Sequence, residues 1–514
     1  MSVVSRRALI LPLVDDKYIL FNGLYGALDV IDRRTAVILR AAQQSDTQPL
    51  GLDADMHERL VRRGYLIDRQ TEAEDLKILS RLKLHAIEQE QISLVIMPTY
   101  NCNFRCVYCT ERHRLTRGQA WLERTMSPTL IDAVFCQMKA YKEQGKTLLG
   151  CALYGGEPLL ASNIGIVRNI CEHCREIDLP IGGAFSNGYE LEAYLDLIEE
   201  FKFGLLHITL DGVGATHDRR RPLPGGGSSY ERIVENVGRL LERGIAVKLR
   251  VNVDRQNLDD MGKLIDEFDR RGFIGNPNFM YYFNTVMPGT DPNPADEITD
   301  VDVFERLREL TGDEDYSLEH EQQYSGCRRL IGGIFDKRHY PQYRASYCDA
   351  MRGRIIVDPS GDIYACHSLV GDERLTIGKV DEARGRFLFN FDLVKWRTRR
   401  VHNLEPCREC PYVMQCGGGC AAPAFNRNGT IMRGTCNVFR EAFDRVLQVE
   451  CREAWSKEQT VEMSKSWREL LSKFSDEDRQ TLLKTTDPQR TLDTWKKYTT
   501  VKELMGGNEN ETDD

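Results

Sequence analysis

Sixteen cysteines constrain this 514-residue chain more than any other feature. Three fall within Cys102–Cys109 and five within Cys407–Cys436. A disulfide framework suits a small secreted domain and needs no such tight spacing, whereas a metal site does. The opening stretch, MSVVSRRALILPLVDD, carries two arginines and a short apolar run that ends at Asp15 and Asp16. With no small-residue cleavage site it reads as a strand, not a signal peptide. No stretch reaches the roughly 20 apolar residues that span a bilayer. A cytoplasmic protein with no membrane partner is expected, its thiols committed to metal or redox chemistry. The formal charge of −9 argues against a broad phosphate footprint, so no nucleic acid partner is expected.

Residues 1–75 read as a small unit of their own. ALILPLVDD, KYILFNG and LYGALDVID are short strands broken by turn residues. Helices are expected over Arg33–Gln43 and Ala54–Arg63, and a strand over Gly64–Ile67. This order predicts a winged helix–turn–helix. Such folds commonly bind DNA, but no Arg/Lys-rich recognition helix is present, which favours a peptide partner. Residues 76–91 predict a charged linker helix. From Ile92, six apolar strands alternate with amphipathic helices: ISLVIM, LLGCALYGG, GGAFSNG, LLHITLDG, VKLRVNVD and NFMYYFNTV. Alternation over about 200 residues predicts a parallel α/β barrel, full or partial, over 92–300, with chemistry at the C-terminal strand ends. A Pro/Asp-rich loop at 288–300 closes it. Residues 301–347 read as a helical bridge, 348–440 as a cysteine-rich domain, and 441–514 as a helical tail with a disordered acidic end.

The first cysteine loop is Cys102-x3-Cys106-x2-Cys109. A four-iron cluster takes four thiolates. Three on one loop leave one iron open to chelate an amino and a carboxylate group. A zinc site that borrows a distant fourth ligand is the competing reading.

With its neighbours the loop resembles the radical SAM superfamily. An apolar strand leads into the cysteines, and Tyr108 matches the aromatic that packs near adenine in that family. Tyr154-Gly155-Gly156-Glu157-Pro158 matches its GGEP element. Two glycines let the backbone approach a ligand, and Glu157 can accept from the methionyl amino group. Ser186-Asn187-Gly188 and Thr209-Leu210-Asp211-Gly212 match segments near the ribose. Arg250 and Asn252 match strand positions facing the cofactor, and Arg250 can pair with the methionyl carboxylate. The resemblance covers roughly residues 92–290. It implies a partial (β/α)6 TIM-type barrel, a 4Fe–4S cluster and S-adenosyl-L-methionine. Reductive cleavage then yields a 5′-deoxyadenosyl radical that abstracts hydrogen from carbon.

The second field is Cys348-x17-Cys366, Cys407-x2-Cys410-x5-Cys416-x3-Cys420, then Cys436. It resembles the SPASM domain of radical SAM enzymes that modify peptides and proteins. Seven cysteines exceed what one zinc ribbon needs. Interleaved ligation in that family implies two auxiliary 4Fe–4S clusters. One would sit on Cys407, Cys410, Cys416 and Cys436. The other would sit on Cys348, Cys366 and Cys420, with Cys327 as the favoured fourth ligand and an open iron as the alternative. Cys136, Cys151, Cys171, Cys174 and Cys451 read as plain thiols.

The N-terminal unit resembles the peptide-recognition winged helix of maturases, where a leader segment adds as a strand. Together these resemblances imply a maturase acting on a ribosomal precursor peptide with a leader. It would form a thioether or carbon–carbon crosslink and draw on an electron donor such as a flavodoxin or ferredoxin. One rival is formylglycine formation, as by anaerobic sulfatase maturases. That branch places an acidic base directly after the cysteine matching Cys366, where this chain has His367. A second rival is a non-catalytic, metal-bearing peptide-binding scaffold.

Overall fold

The computed structural model describes residues 2–82, 91–111, 117–287, 294–436 and 438–500. Alternating segments at the N-terminus form strands β1 (Val3–Val4), β2 (Ala8–Pro12), β3 (Lys17–Asn22) and β4 (Leu28–Asp32). Asp32 caps the next helix, Arg33–Ser45, by accepting from the Thr35 N–H. Helix Ala54–Arg63 stops at Gly64, and β5 (Leu66–Ile67) returns antiparallel to β1. β2, β3 and β4 form an antiparallel sheet.

The edges of this small sheet are already engaged. The Val30 N–H donates to the Val461 carbonyl at 2.9 Å, and the Met463 N–H to the Leu28 carbonyl at 2.8 Å. The tail therefore pairs along the outer edge of β4. On β2, the carbonyls of Ala8, Ile10 and Pro12 accept from Gln43, Arg40 and Gln448. Helix Arg69–Leu82 begins inside the expected N-terminal unit and runs into the expected linker. The rest of that linker, residues 288–293 of the Pro/Asp-rich loop and the acidic end beyond residue 500 lie outside the described residues.

Every second side chain of β6 (Gln91–Ile96) is buried, as in a strand with one face in a core. It is followed by β7 (Thr147–Leu153), β8 (Ile181–Ser186), β9 (Leu205–Thr209), β10 (Val247–Val253) and β11 (Phe279–Thr285). All are parallel and lie in sequence order. Helices between them supply the outer layer. Pro128–Glu143, capped by Ser127, buries Leu130, Ile131, Val134, Phe135 and Met138 against the strands.

The cysteine-rich region does not fold apart from this barrel. Its first strand, β12 (Arg354–Val357), pairs parallel with β6, and β13 (Asp362–Tyr364), β14 (Gly378–Asp381) and β15 (Arg386–Phe389) extend the sheet antiparallel to ten strands. Gly353 permits the junction, because a Cβ there would stand 1.7 Å from the Gln91 carbonyl oxygen. Helices Gln322–Phe335 and Phe439–Lys457 share an apolar cluster with β3 and β4 through Ile331, Phe443, Ile19, Phe21 and Val30. Among the described residues, no helix is long and apolar enough to cross a membrane.

Candidate active site

The cysteine loop leaves the C-terminal end of β6 and is pinned from two sides. On one, the Met97 N–H donates to the Val357 carbonyl at 3.0 Å, and the Tyr100 hydroxyl donates to Asp358 just beyond β12. On the other, the turn after β7 presses against the loop. The Gly156 N–H donates to the Thr99 carbonyl at 3.3 Å and the Glu157 N–H to the Asn101 carbonyl at 2.8 Å. A Cβ on Gly156 would lie 2.3 Å from the carbonyl oxygens of both Tyr100 and Asn101. The sequence assigned these glycines to close approach of a ligand. Here the approach they permit is that of the cysteine loop itself.

Glu157 is buried and fully engaged. It accepts from the Leu159 N–H at 3.0 Å, the Ser186 hydroxyl at 2.8 Å and the Asn187 N–H at 2.6 Å. Burial pushes its carboxyl up to about 7. It thus fastens the turn after β8 to the turn after β7. The Tyr108 hydroxyl donates to Asp211 and accepts from Arg221 at 3.0 Å and Asn252 at 3.1 Å. Asp211 also accepts from the Asn252 N–H at 2.9 Å, so it ties the ends of β9 and β10 to the cysteine loop. Arg250 donates from Nε to the Asn252 side-chain oxygen at 2.7 Å.

Cys102, Cys106 and Cys109 line one cavity of about 260 Å3 at these strand ends. Tyr108, Gly155, Gly156, Glu157, Ser186, Asn187, Thr209, Arg250 and Asn252 line it with them. Pro158 and Asp211 do not. Asp211 acts from behind, through Tyr108 and Asn252. Sequence reasoning missed Arg221, His207 and Tyr282, which also line the cavity. Arg221 is buried, sits 5.6 Å from the Phe104 ring and offsets the rise that burial imposes on the Cys106 thiol. The signal was the run Arg219-Arg220-Arg221, which usually marks an exposed face. His367 also lines the wall, 5.1 Å from the Tyr154 ring. Burial, with Arg354 and Arg250 nearby, lowers its imidazole to about 4, so it is neutral.

The auxiliary cysteines fall into two sets. Cys407, Cys410, Cys416 and Cys436 line a small cavity together, and Arg440 Nη2 approaches Cys410 and Cys436 at 3.8 and 3.9 Å. Cys366 lies in the electrostatic field of Cys420 and Cys348, and burial pushes its thiol up to about 12. Cys327, the expected fourth ligand, lies on a different element from that set. It is buried on helix Gln322–Phe335 with Tyr324 and Ile331, and the thiol that acts on it is Cys416.

Among the described residues, no group of three or more His, Cys, Asp or Glu side chains is placed to hold a metal ion. An iron–sulfur cluster asks for a different placement, with thiols set around a space. The donor chemistry fits it: burial holds Cys102 and Cys106 as neutral thiols, and iron would convert them to thiolates.

A family model described as the radical SAM superfamily matches residues 96–268. A protein of Paramaledivibacter caminithermalis, the radical SAM cyclopropyl synthase TigE, is 20% identical over 85% of this chain and 93% of its own length. A cysteine-type anaerobic sulfatase-maturating enzyme of Clostridium novyi is 22% identical over 69% of this chain and 95% of its own. The solved structure of anSMEcpe with bound AdoMet superposes with a TM-score of 0.53 at 17% identity, over 71% of this chain and 98% of that one. That likeness concerns the fold.

Proposed function

We propose that this chain, whose residues 96–268 match the radical SAM superfamily model, is a maturase acting on a ribosomally made precursor peptide, with a thioether or carbon–carbon crosslink as its product. The observation that carries this reading is the convergence of Cys102, Cys106, Cys109, Gly156, Ser186, Thr209 and Arg250 on one cavity at the C-terminal strand ends. Curated relatives support the substrate class. They include the PqqA peptide cyclase of Methylobacterium sp. besides the cyclopropyl synthase and the sulfatase-maturating enzyme.

In this reading Cys102, Cys106 and Cys109 hold a 4Fe–4S cluster beside S-adenosyl-L-methionine. When bound, the pair supplies one-electron cleavage of a carbon–sulfur bond and a 5′-deoxyadenosyl radical. The chain supplies position and charge. Arg221 balances negative charge at Cys106. Arg250, held by Asn252, offers its remaining guanidinium N–H groups to a carboxylate. Glu157 holds the Ser186–Asn187 backbone against the site. Tyr108, fixed by Asp211 and Asn252, offers a ring to a flat base. His367 stays neutral on the wall and can accept or donate one hydrogen bond.

The two other thiol sets would hold auxiliary 4Fe–4S clusters, with a flavodoxin or ferredoxin in the cytoplasm as donor. Residues 1–75 would recognise the leader. Because Val461–Met463 hold the outer edge of β4, added-strand recognition at that edge requires the tail to leave it. The test is anaerobic reconstitution with S-adenosyl-L-methionine, reductant and a genome-neighbouring precursor. A peptide lighter by two hydrogens is expected, with 5′-deoxyadenosine formed. Cys102→Ala should abolish 5′-deoxyadenosine and spare the auxiliary absorbance. Undiminished cleavage in that variant refutes the site, and a peptide of unchanged mass refutes crosslinking.

A further inference from the structure

Arg399 is fully buried, and among the described residues it makes no ion pair with a carboxylate. Nε donates to the Ile431 carbonyl at 2.6 Å, and Nη2 to the carbonyls of Gly418 and Arg433 at 3.3 and 3.1 Å. Nη1 is buried and has no partner. Of the three other fully buried arginines, Arg63 meets Asp29 at 2.6 Å and Arg220 meets Asp254 at 2.5 Å, while Arg400 donates to the Met351 carbonyl at 2.8 Å and the Ser346 hydroxyl at 3.2 Å. Among the described residues no ion pair neutralises Arg399. A buried cation without an anion is strongly destabilising, so a counter-charge has to come from elsewhere.

The hydrogen-bond partners of the guanidinium are backbone carbonyls, and the charged or ionisable groups in its field are thiols. Cys420 and Cys348 act on it most strongly, then Cys407 and Cys416. They belong to both auxiliary sets. Its two forked carbonyl contacts lie in the same loops, since Gly418 separates Cys416 from Cys420 and Arg433 precedes Cys436. The fork therefore ties both ligand loops together and leaves the two N–H groups of Nη1 beside Gly418, in the turn between Cys416 and Cys420.

We propose that Arg399 is the counter-cation shared by two auxiliary iron–sulfur clusters, donating from Nη1 to a cluster sulfur and holding their reduction potentials up. This rests on the reading of the two thiol sets as cluster sites. Reduction adds negative charge to a cluster, and a nearby cation with a hydrogen bond to sulfur favours the reduced form. Neutral thiols would not serve, because they leave the buried charge unbalanced.

The test uses full-length, anaerobically reconstituted protein in a Cys102→Ala background, so that only auxiliary clusters are read. Iron content, far-UV circular dichroism and EPR-monitored potentiometric titration are compared for Arg399, Arg399→Lys and Arg399→Gln. At equal iron, Arg399→Gln should titrate at a more negative potential than the parent, with Arg399→Lys in between. Loss of auxiliary iron in Arg399→Gln alone, with unchanged circular dichroism, would equally show that the charge is required. Identical potentials at full iron would overturn the proposal. So would loss of iron and helical signal in both variants, since Arg399 would then serve only to hold the loops. A parent lacking auxiliary iron would overturn the cluster reading itself, and the iron count tells that failure apart.

Discussion

Gly156→Ala tests whether the turn after β7 positions the cysteine loop. The new Cβ would stand 2.3 Å from two carbonyl oxygens, and ordinary contact begins near 3.4 Å. The loop must therefore retreat by about 1.1 Å. Neither oxygen belongs to a flexible side chain, so the backbone itself has to move. Forcing a methyl into such a junction costs about 1–3 kcal/mol. The hydrogen bonds from Gly156 to Thr99 and from Glu157 to Asn101 would weaken, each worth about 1 kcal/mol. A total of about 2–4 kcal/mol follows, concentrated on the loop that carries Cys102. A displacement near 1 Å at a reacting centre costs on the order of 100-fold in rate. The assay is 5′-deoxyadenosine formation under single-turnover conditions, with iron counted in the same sample. Gly165→Ala is the control, because nothing lies within 4 Å of its Cβ and it sits inside helix Ile164–Glu176. It should leave cleavage unchanged and gain up to about 1 kcal/mol of stability. A wild-type cleavage rate in Gly156→Ala would refute the argument.

Three further outcomes are expected. Glu157→Gln keeps one acceptor oxygen but turns an amide N–H toward donors it now accepts from, so stability in urea should fall by about 2 kcal/mol. Binding of S-adenosyl-L-methionine, measured by calorimetry, should weaken with it. Cys327→Ala should keep its full auxiliary iron if the buried helix position it occupies with Tyr324 and Ile331 is structural, and lost iron would show it to be a ligand. Burial raises the Asp358 carboxyl to about 6, against 3.8 unperturbed. The folded state therefore binds the extra proton between about pH 4 and 6, and stability from this group falls as pH rises through that window. Asp358→Asn should flatten that part of the profile of urea midpoint against pH, and an unchanged slope would show that Asp358 does not titrate there.

Chemistry borne by local spacing was legible in the chain. Cys102-x3-Cys106-x2-Cys109 and Cys407-x2-Cys410 place donors on single loops whatever the rest of the fold does. The six apolar strands were legible for the same reason, since alternation and buried runs follow strand geometry. Residues that act across elements were not. Arg221 stands in an arginine run that looks solvated, and only the return of the chain after β9 brings it to Cys106. Cys327 looked eligible by distance along the chain, and only the fold shows that it lies buried on helix Gln322–Phe335 with Tyr324 and Ile331.

The sequence by itself determined where the thiols cluster along the chain and which segments form parallel strands, because both depend on neighbours a few residues away. Tertiary structure decided what those groups touch. It joined β12 to β6 so that the second cysteine region braces the first loop through Asp358 and Tyr100. It spent the Gly155–Gly156 turn on that loop. It also buried Arg399 against the Gly418 and Arg433 carbonyls of the cysteine loops, with no ion pair among the described residues. Such placements depend on long-range packing, where a single Cβ or an unpaired charge decides which surfaces can meet.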